Sequence, residues 1–198
     1  MESKKFDFED EIVKQFQDSV SVKEDTVEKC LSSINEVVNI VINAYKNNKK
    51  VLWCGNGGSA ADAQHLACEL VSKFYMDRKP LRSIALTTNT SILTAVSNDY
   101  DYNKVFARQV EALAEKGDVL IGITTSGTSK NILEAFESAR KKGVITIALT
   151  GQDINEIKKL SDHLISIPSN ETARIQESHI LIGHIICYLL EKTLFGEK

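Results

Sequence analysis

Residues 51–60, VLWCGNGGSA, run a short apolar segment straight into a turn of glycine, asparagine and serine. Apolar side chains on consecutive positions fit a strand covered on both faces, and the turn opens into a helical pattern. The theme recurs in SIALTT (83–88), DVLIGITT (118–125), VITIALTG (144–151) and DHLISIPS (162–169). Helical segments separate these runs, which is the βαβ signature of a parallel sheet with helices on both faces. The expected fold class is therefore α/β: a doubly wound, five-stranded parallel sheet in the order 2-1-3-4-5. Upstream, Ile12, Phe16 and Val20, then Val27, Leu31, Ile34, Val38 and Val41, recur at helical spacing. That predicts a pair of amphipathic helices over 1–48 ahead of a core over 49–198, the 198 residues forming one domain.

Composition excludes several classes of function. With 24 basic against 27 acidic residues the chain carries a net charge of −3, so no overall field holds a nucleic acid or an anionic membrane. Any anion must be bound locally. Cys30, Cys54, Cys68 and Cys187 show neither CxxC spacing nor the density of a disulfide framework, which fits a reducing compartment. The first twenty residues are charged throughout and lack an apolar signal core, so a cytoplasmic protein is expected. The longest apolar stretch, Ile180 to Leu190, is too short to span a bilayer and is interrupted by His184, so it reads as a buried helix.

In a doubly wound sheet, ligands settle beyond the carboxyl ends of the strands. The loops there read GNGGSAAD after the first strand, TTSGTSKN after the third and TGQD after the fourth. Glycines let the backbone approach an anion, hydroxyls donate to it, and the helix start adds N–H groups and a positive dipole end. Nucleotide readings lack their second anchor. Gly55-x-Gly57-x-x-Ala60 matches the dinucleotide pattern, but the second strand ends Leu86-Thr87-Thr88 without the acidic residue, and no G-x-x-x-x-G-K-[ST] occurs. Tight turns with helix caps remain the plain alternative for either loop alone. Two such loops on neighbouring strands would bring Ser59 near Ser126 and Ser129, where one phosphate could touch both.

His65 and Glu69 stand four residues apart on the helix predicted from Ser59 to Lys73, hence on one face. A surface contact is one reading of such a pair. The other is a proton-transfer site, favoured by the small and apolar neighbours Ala61, Ala63, Leu66, Ala67 and Leu70. Gln176 and His184 lie on the predicted C-terminal helix, where a histidine among apolar residues is open to a purely structural reading. Eight residues of one helix rise about 12 Å, so these two must converge from a distance or come from different subunits.

CGNGGSAADAQHLACEL (54–70), NDYDY (98–102), TSGTSKN (125–131) and ARIQESHILIGH (173–184) together resemble the SIS, or sugar isomerase, family in its heptose isomerase branch. The resemblance spans nearly the whole chain. It implies conversion of sedoheptulose 7-phosphate to an aldoheptose 7-phosphate through an enediol, at the head of a pathway to lipopolysaccharide or capsule heptose. It further implies that Ser59, Thr124, Ser126 and Ser129 hold the phosphate, that Asn56, Asn98, Asp99 and Gln176 orient the sugar, and that Gly57, Gly58 and Thr125 also line the substrate site. Glu69 and His184 would carry acid–base catalysis; His65, Glu69, Gln176 and His184 would ligate zinc; no organic cofactor is implied. A homotetramer with sites at subunit interfaces is expected, as is a small-molecule partner in place of nucleic acid or membrane. Lys73 departs from the arginine frequent in relatives and lacks its planar fork. The rival within the fold is a non-catalytic adaptor that binds the replication initiator DnaA, a branch lacking the carboxylate that Glu69 supplies. A sugar-sensing regulator would need a DNA-binding segment, and none is evident.

Overall fold

The computed structural model describes residues 7–154 and 156–196. Strands β1 (Val51–Gly55), β2 (Ser83–Ala85), β3 (Val119–Thr124), β4 (Ile145–Thr150) and β5 (His163–Ser166) form one parallel sheet. Its order is β2-β1-β3-β4-β5, the predicted one. Alternate residues of the strands feed two cores. Val51, Trp53, Val119, Ile121 and Ile123 face one cluster and Leu52, Cys54, Leu120 and Ala148 the other, so the central strands β1 and β3 are buried along their whole length.

Helices α1 (Glu9–Lys46), α2 (Gly58–Val71) and α7 (Thr172–Phe195) cover the first face. The second is covered by α4 (Ala107–Leu113), α5 (Lys130–Lys141) and the short α6 (Ile157–Leu160), while α3 (Thr90–Asp99) packs on a 3₁₀ turn (Tyr102–Lys104) that also meets α5. The expected pair of N-terminal helices is one continuous helix of 38 residues. No glycine or proline interrupts it, so the polar stretch between its apolar runs does not break the helix. Its second half buries Cys30, Ile34, Val37, Val38, Val41 and Ile42 against the body. Ile12, Phe16, Val20, Val27 and Leu31 are each more than half exposed.

Two contacts seat α7. Gly183 packs on Leu66 of α2 so closely that a Cβ there would lie 2.4 Å from its Cδ atoms, which brings α2 and α7 together beside His65 and His184. His179, fully buried, donates from Nε2 to the Thr150 carbonyl at the end of β4, at 3.0 Å. That bond fixes the tautomer and leaves Nδ1 buried without a partner. Burial pushes the imidazole down to about 4, against the opposing pull of the Thr150 carbonyl.

The depressed imidazole makes the stability of the fold depend on pH. The unfolded chain takes up this proton near the ordinary histidine value of about 6.5, whereas the folded chain does so only near 4, so between those values the unfolded state holds more protons. Stability from this residue is full above pH 6.5 and is lost as pH falls toward 4, at about 1.4 kcal/mol per unit. His179→Gln keeps an N–H for Thr150 and removes the titration. Its melting temperature should therefore fall less steeply than that of the unsubstituted protein between pH 6.5 and 4 in a calorimetric series; parallel curves would refute the assignment.

Candidate active site

The starts of α2 and α5 lie at the carboxyl ends of the paired strands β1 and β3. Neither has a side-chain cap, unlike α3, where Asn89 accepts from the Ile92 N–H. Uncapped helix starts aim N–H groups and the positive end of the dipole at whatever lies beyond. Gly57 precedes α2 with φ 55°, and Gly57 and Gly58 are exposed while Ser59 is buried. In the β3–α5 loop, the Thr124 and Ser129 hydroxyls lie 3.1 Å apart, and the exposed Ser126 Oγ accepts from the Thr128 hydroxyl at 3.1 Å. Thr125 is half-buried, and its carbonyl accepts from the Gly151 N–H at 3.2 Å, which ties this loop to the one after β4. Gly127 has no room for a side chain, since a Cβ would sit 2.5 Å from the Asp153 carbonyl. The hydroxyls are thus held on rigid turns at the mouth of the sheet.

About two turns into α2, a second cluster forms. His65 Nε2 is 2.9 Å from His184 Nε2 and 3.3 Å from Glu69 Oε1. Two nitrogens at that separation require a lone pair on at least one, so the imidazoles either share one proton or face a common cation. The ligand atoms of His65, Glu69 and His184 all lie within 4.8 Å of one another, and two imidazoles with one carboxylate are a donor set that suits zinc. The Glu69 side chain is 21% exposed and that of His65 50%, so the cluster opens to the surface of the single chain. Burial holds the His184 imidazole below the usual histidine range; the nearby His65 adds to this and Glu69 opposes it.

Helices α2 and α7 run side by side in the same direction, with Gln176 against Gly58 and His184 against His65. A Cβ on Gly58 would lie 2.6 Å from Gln176 Nε2. The Gln176 amide therefore sits at the loop end, about two turns from the imidazoles, and one chain does not add it to the histidine–glutamate cluster. Asn98 and Asp99 end α3, exposed and bonded to each other through Asn98 Nδ2 and Asp99 Oδ1 at 2.9 Å. Lys73 is exposed past the end of α2.

The sequence profile of the SIS domain matches residues 15–151. The phosphoheptose isomerase of Clostridium acetobutylicum is 54% identical over 186 residues, covering 93% of this chain and 95% of that protein. This chain belongs to the SIS-domain phosphoheptose isomerase family. Phosphoheptose isomerase 2 of Campylobacter jejuni is similarly near, 55% identical over 92% of each chain. The solved structure of the phosphoheptose isomerase GmhA from Neisseria gonorrhoeae superposes with a TM-score of 0.89 at 39% identity, over 94% of this chain and all of that one. The adaptor reading gains nothing from these relatives.

Within this family member, some residues that shape the site carry no signal in local sequence. Asn56 and the buried Asn131 exchange amide hydrogen bonds of 2.9 and 2.8 Å, and the Tyr102 hydroxyl donates to Asn56 Oδ1 at 3.1 Å. Both Asn56 side-chain groups are thus engaged inside the protein. The NDYDY segment reaches the first loop through Tyr102, not through a hydrogen bond from Asn98 or Asp99. Tyr102 stood inside a quoted motif and Asn131 at the end of another, but the pairing joins positions 75 residues apart in sequence.

Proposed function

We infer that the chain interconverts sedoheptulose 7-phosphate and D-glycero-D-manno-heptose 7-phosphate by proton transfer through an enediol. The observation that carries this reading is the spacing of two unlike sites along one helix. Uncapped N–H groups and hydroxyls at the start of α2 suit a dianionic tail, and a histidine–glutamate cluster about 10 Å further along suits a carbonyl carbon. A phosphosugar of seven carbons has its anion and its reactive C1–C2 pair at opposite ends. Ser59, Thr124, Thr125, Ser126 and Ser129, with the N–H groups of Gly57 and Gly58, anchor the phosphate, while Asn56, Asn98, Asp99 and Gln176 border the sugar.

Glu69 is assigned as the base that moves the proton between C1 and C2. Its carboxylate has two oxygens, so one is held by His65 while the other takes the proton. His184 is assigned as the acid that gives a proton to the substrate oxygen on which negative charge develops, or that helps open the sugar ring. A bound zinc ion would be held by His65, Glu69 and His184, with the Gln176 of a second copy as the fourth ligand, and would polarise the sugar oxygens. Phosphate binding at the far end converts remote binding energy into reactive geometry.

The assembly is assigned as a homotetramer in the cytoplasm, with residues 1–48 as the oligomerisation segment and 49–198 as the α/β core of a single domain. Among the described residues no helix is long and apolar enough to cross a membrane. The open face of the His65–Glu69–His184 cluster and the Gln176 amide two turns away both favour a site completed by a second copy. The product supplies a nucleotide-activated heptose for lipopolysaccharide or capsule.

Incubation with sedoheptulose 7-phosphate and detection of an aldoheptose phosphate tests the reaction; no product from folded protein would end it. Ser126→Ala tests the anchor in the same assay. Losing one donor to a charged phosphate costs about 1.5–3 kcal/mol, so KM should rise roughly 10- to 100-fold with kcat little changed. An unaltered KM would remove Ser126 from the cradle.

A further inference from the structure

Glu191 lies on α7 two turns past His184 and on the same face, with its side chain 1% exposed. Its carboxylate accepts from the backbone N–H groups of Phe74 (2.8 Å), Tyr75 (2.8 Å) and Met76 (3.0 Å) and from Arg78 Nε (3.0 Å). The Arg78 guanidinium, equally buried, donates through Nη2 to the Glu69 carbonyl (2.8 Å) and through Nη1 to the Leu70 carbonyl (2.7 Å). These carbonyls belong to the last turn of α2, where the helix itself provides no donor. The segment so tied carries Phe74, whose ring stacks on His184 at 5.5 Å between centroids and 27° between planes. Tyr75 meets the edge of Phe74 at 4.4 Å and that of Tyr188 at 6.0 Å, closing the aromatic cover over α7.

A buried ion pair is weak evidence of added stability, because desolvation offsets the attraction. What this one determines is position. Every donor and acceptor in it joins the helix that carries Glu69, the loop that carries Phe74, or the helix that carries His184. We propose that Glu191 and Arg78 are positioning residues for the reaction: they hold the Phe74 ring against His184 and pin the turn of α2 from which Glu69 projects. Both side chains are 1% exposed, so neither opens to the surface on which the His65–Glu69–His184 cluster lies. The inference rests on the acid–base assignment of Glu69 and His184 made above. Burial alone would raise the Glu191 carboxyl, but the three N–H donors and Arg78 outweigh it and hold the group below the usual range, in keeping with a permanent anion at the centre of the clasp.

Misplacing a reacting group by about 1 Å costs about 100-fold in rate, and the phosphate anchor lies at the other end of α2. Phe74→Ala should therefore lower kcat by about 10- to 100-fold with KM within about threefold of the unsubstituted enzyme, and Phe74→Tyr should restore most of the loss. Glu191→Gln and Arg78→Lys, which keep size but lose the charge or the planar fork, should show the same split. Because Glu191 acts on His184 through the Phe74 ring, the kcat losses of Glu191→Gln and Phe74→Ala should combine to less than their product, whereas independent roles would multiply. Unchanged kcat in Phe74→Ala, or losses that multiply in the double variant, would overturn the proposal; if Glu191→Gln does not fold, the Phe74 pair decides alone. Glu69→Gln, assayed in parallel, separates the two layers. Full turnover there would fault the acid–base assignment, whereas its loss beside a fully active Phe74→Ala would fault the positioning role only.

Discussion

Replacing Glu69 by Gln should abolish turnover while sparing substrate binding. The substitution keeps the shape and a hydrogen-bonding oxygen for His65, which lies 3.3 Å from the carboxylate, so the fold has no reason to change. It removes the one group in the cluster assigned to accept a carbon-bound proton. General base catalysis by a positioned side chain is worth about 10²- to 10⁴-fold, so kcat should fall by that factor. The phosphate cradle at the head of α2 is about 16 Å of helix from Glu69, and its uncapped N–H groups are untouched. Substrate affinity, read by calorimetry, should therefore stay within about threefold, the signature of an interaction made only in the transition state. A second readout isolates the proton itself: in heavy water the unsubstituted enzyme should exchange the substrate's C1 or C2 hydrogen, and the variant should not. Normal turnover, or exchange that persists while turnover stops, would take the base role away from Glu69.

Such a test was designable from sequence because the chemistry sits on short-range patterns. The strand runs before GNGGSAAD and TTSGTSKN place these loops at one end of a parallel sheet, and the i, i+4 spacing of His65 and Glu69 places both on one face. The sheet order came with the flavodoxin-like form of the doubly wound fold, since alternation alone fits more than one order. Local pattern failed where long-range packing decides. The apolar runs of residues 12–41 are separated by a polar stretch that reads as a break, yet without a glycine or proline the backbone continues through it. Glu191 belongs to none of the patterns read from the sequence; its partners at Phe74, Tyr75 and Met76 are 115–117 residues away. Gln176 and His184 share a motif but not a location, since 12 Å of helix separates them and α2 runs parallel to α7.

That separation underlies the second large effect, the inactivity of a forced monomer. Ile12, Phe16, Val20, Val27 and Leu31 lie on the solvent side of α1, each more than half exposed, and burying such side chains is worth about 1.5–3 kcal/mol apiece. A helix that leaves this much apolar surface uncovered in its own chain is suited to cover it with another copy. Near the cluster His65 is half exposed and the Gln176 amide is lodged against Gly58, which leaves room for a second copy to contribute. Placing charge in the stripe, as in Phe16→Glu with Leu31→Glu, should disperse the assembly to single chains by sedimentation while circular dichroism keeps its helical signal, because neither position belongs to the chain's own core. Activity should drop at least about 100-fold, the scale expected when reacting groups lose their relative placement. Raising the protein concentration should recover part of it, since assembly driven by mass action returns the site while a local defect would not. A dispersed variant that turns over at the original rate would show that one chain holds the complete site, and Gln176 would then have to act from the loop end as a sugar contact alone.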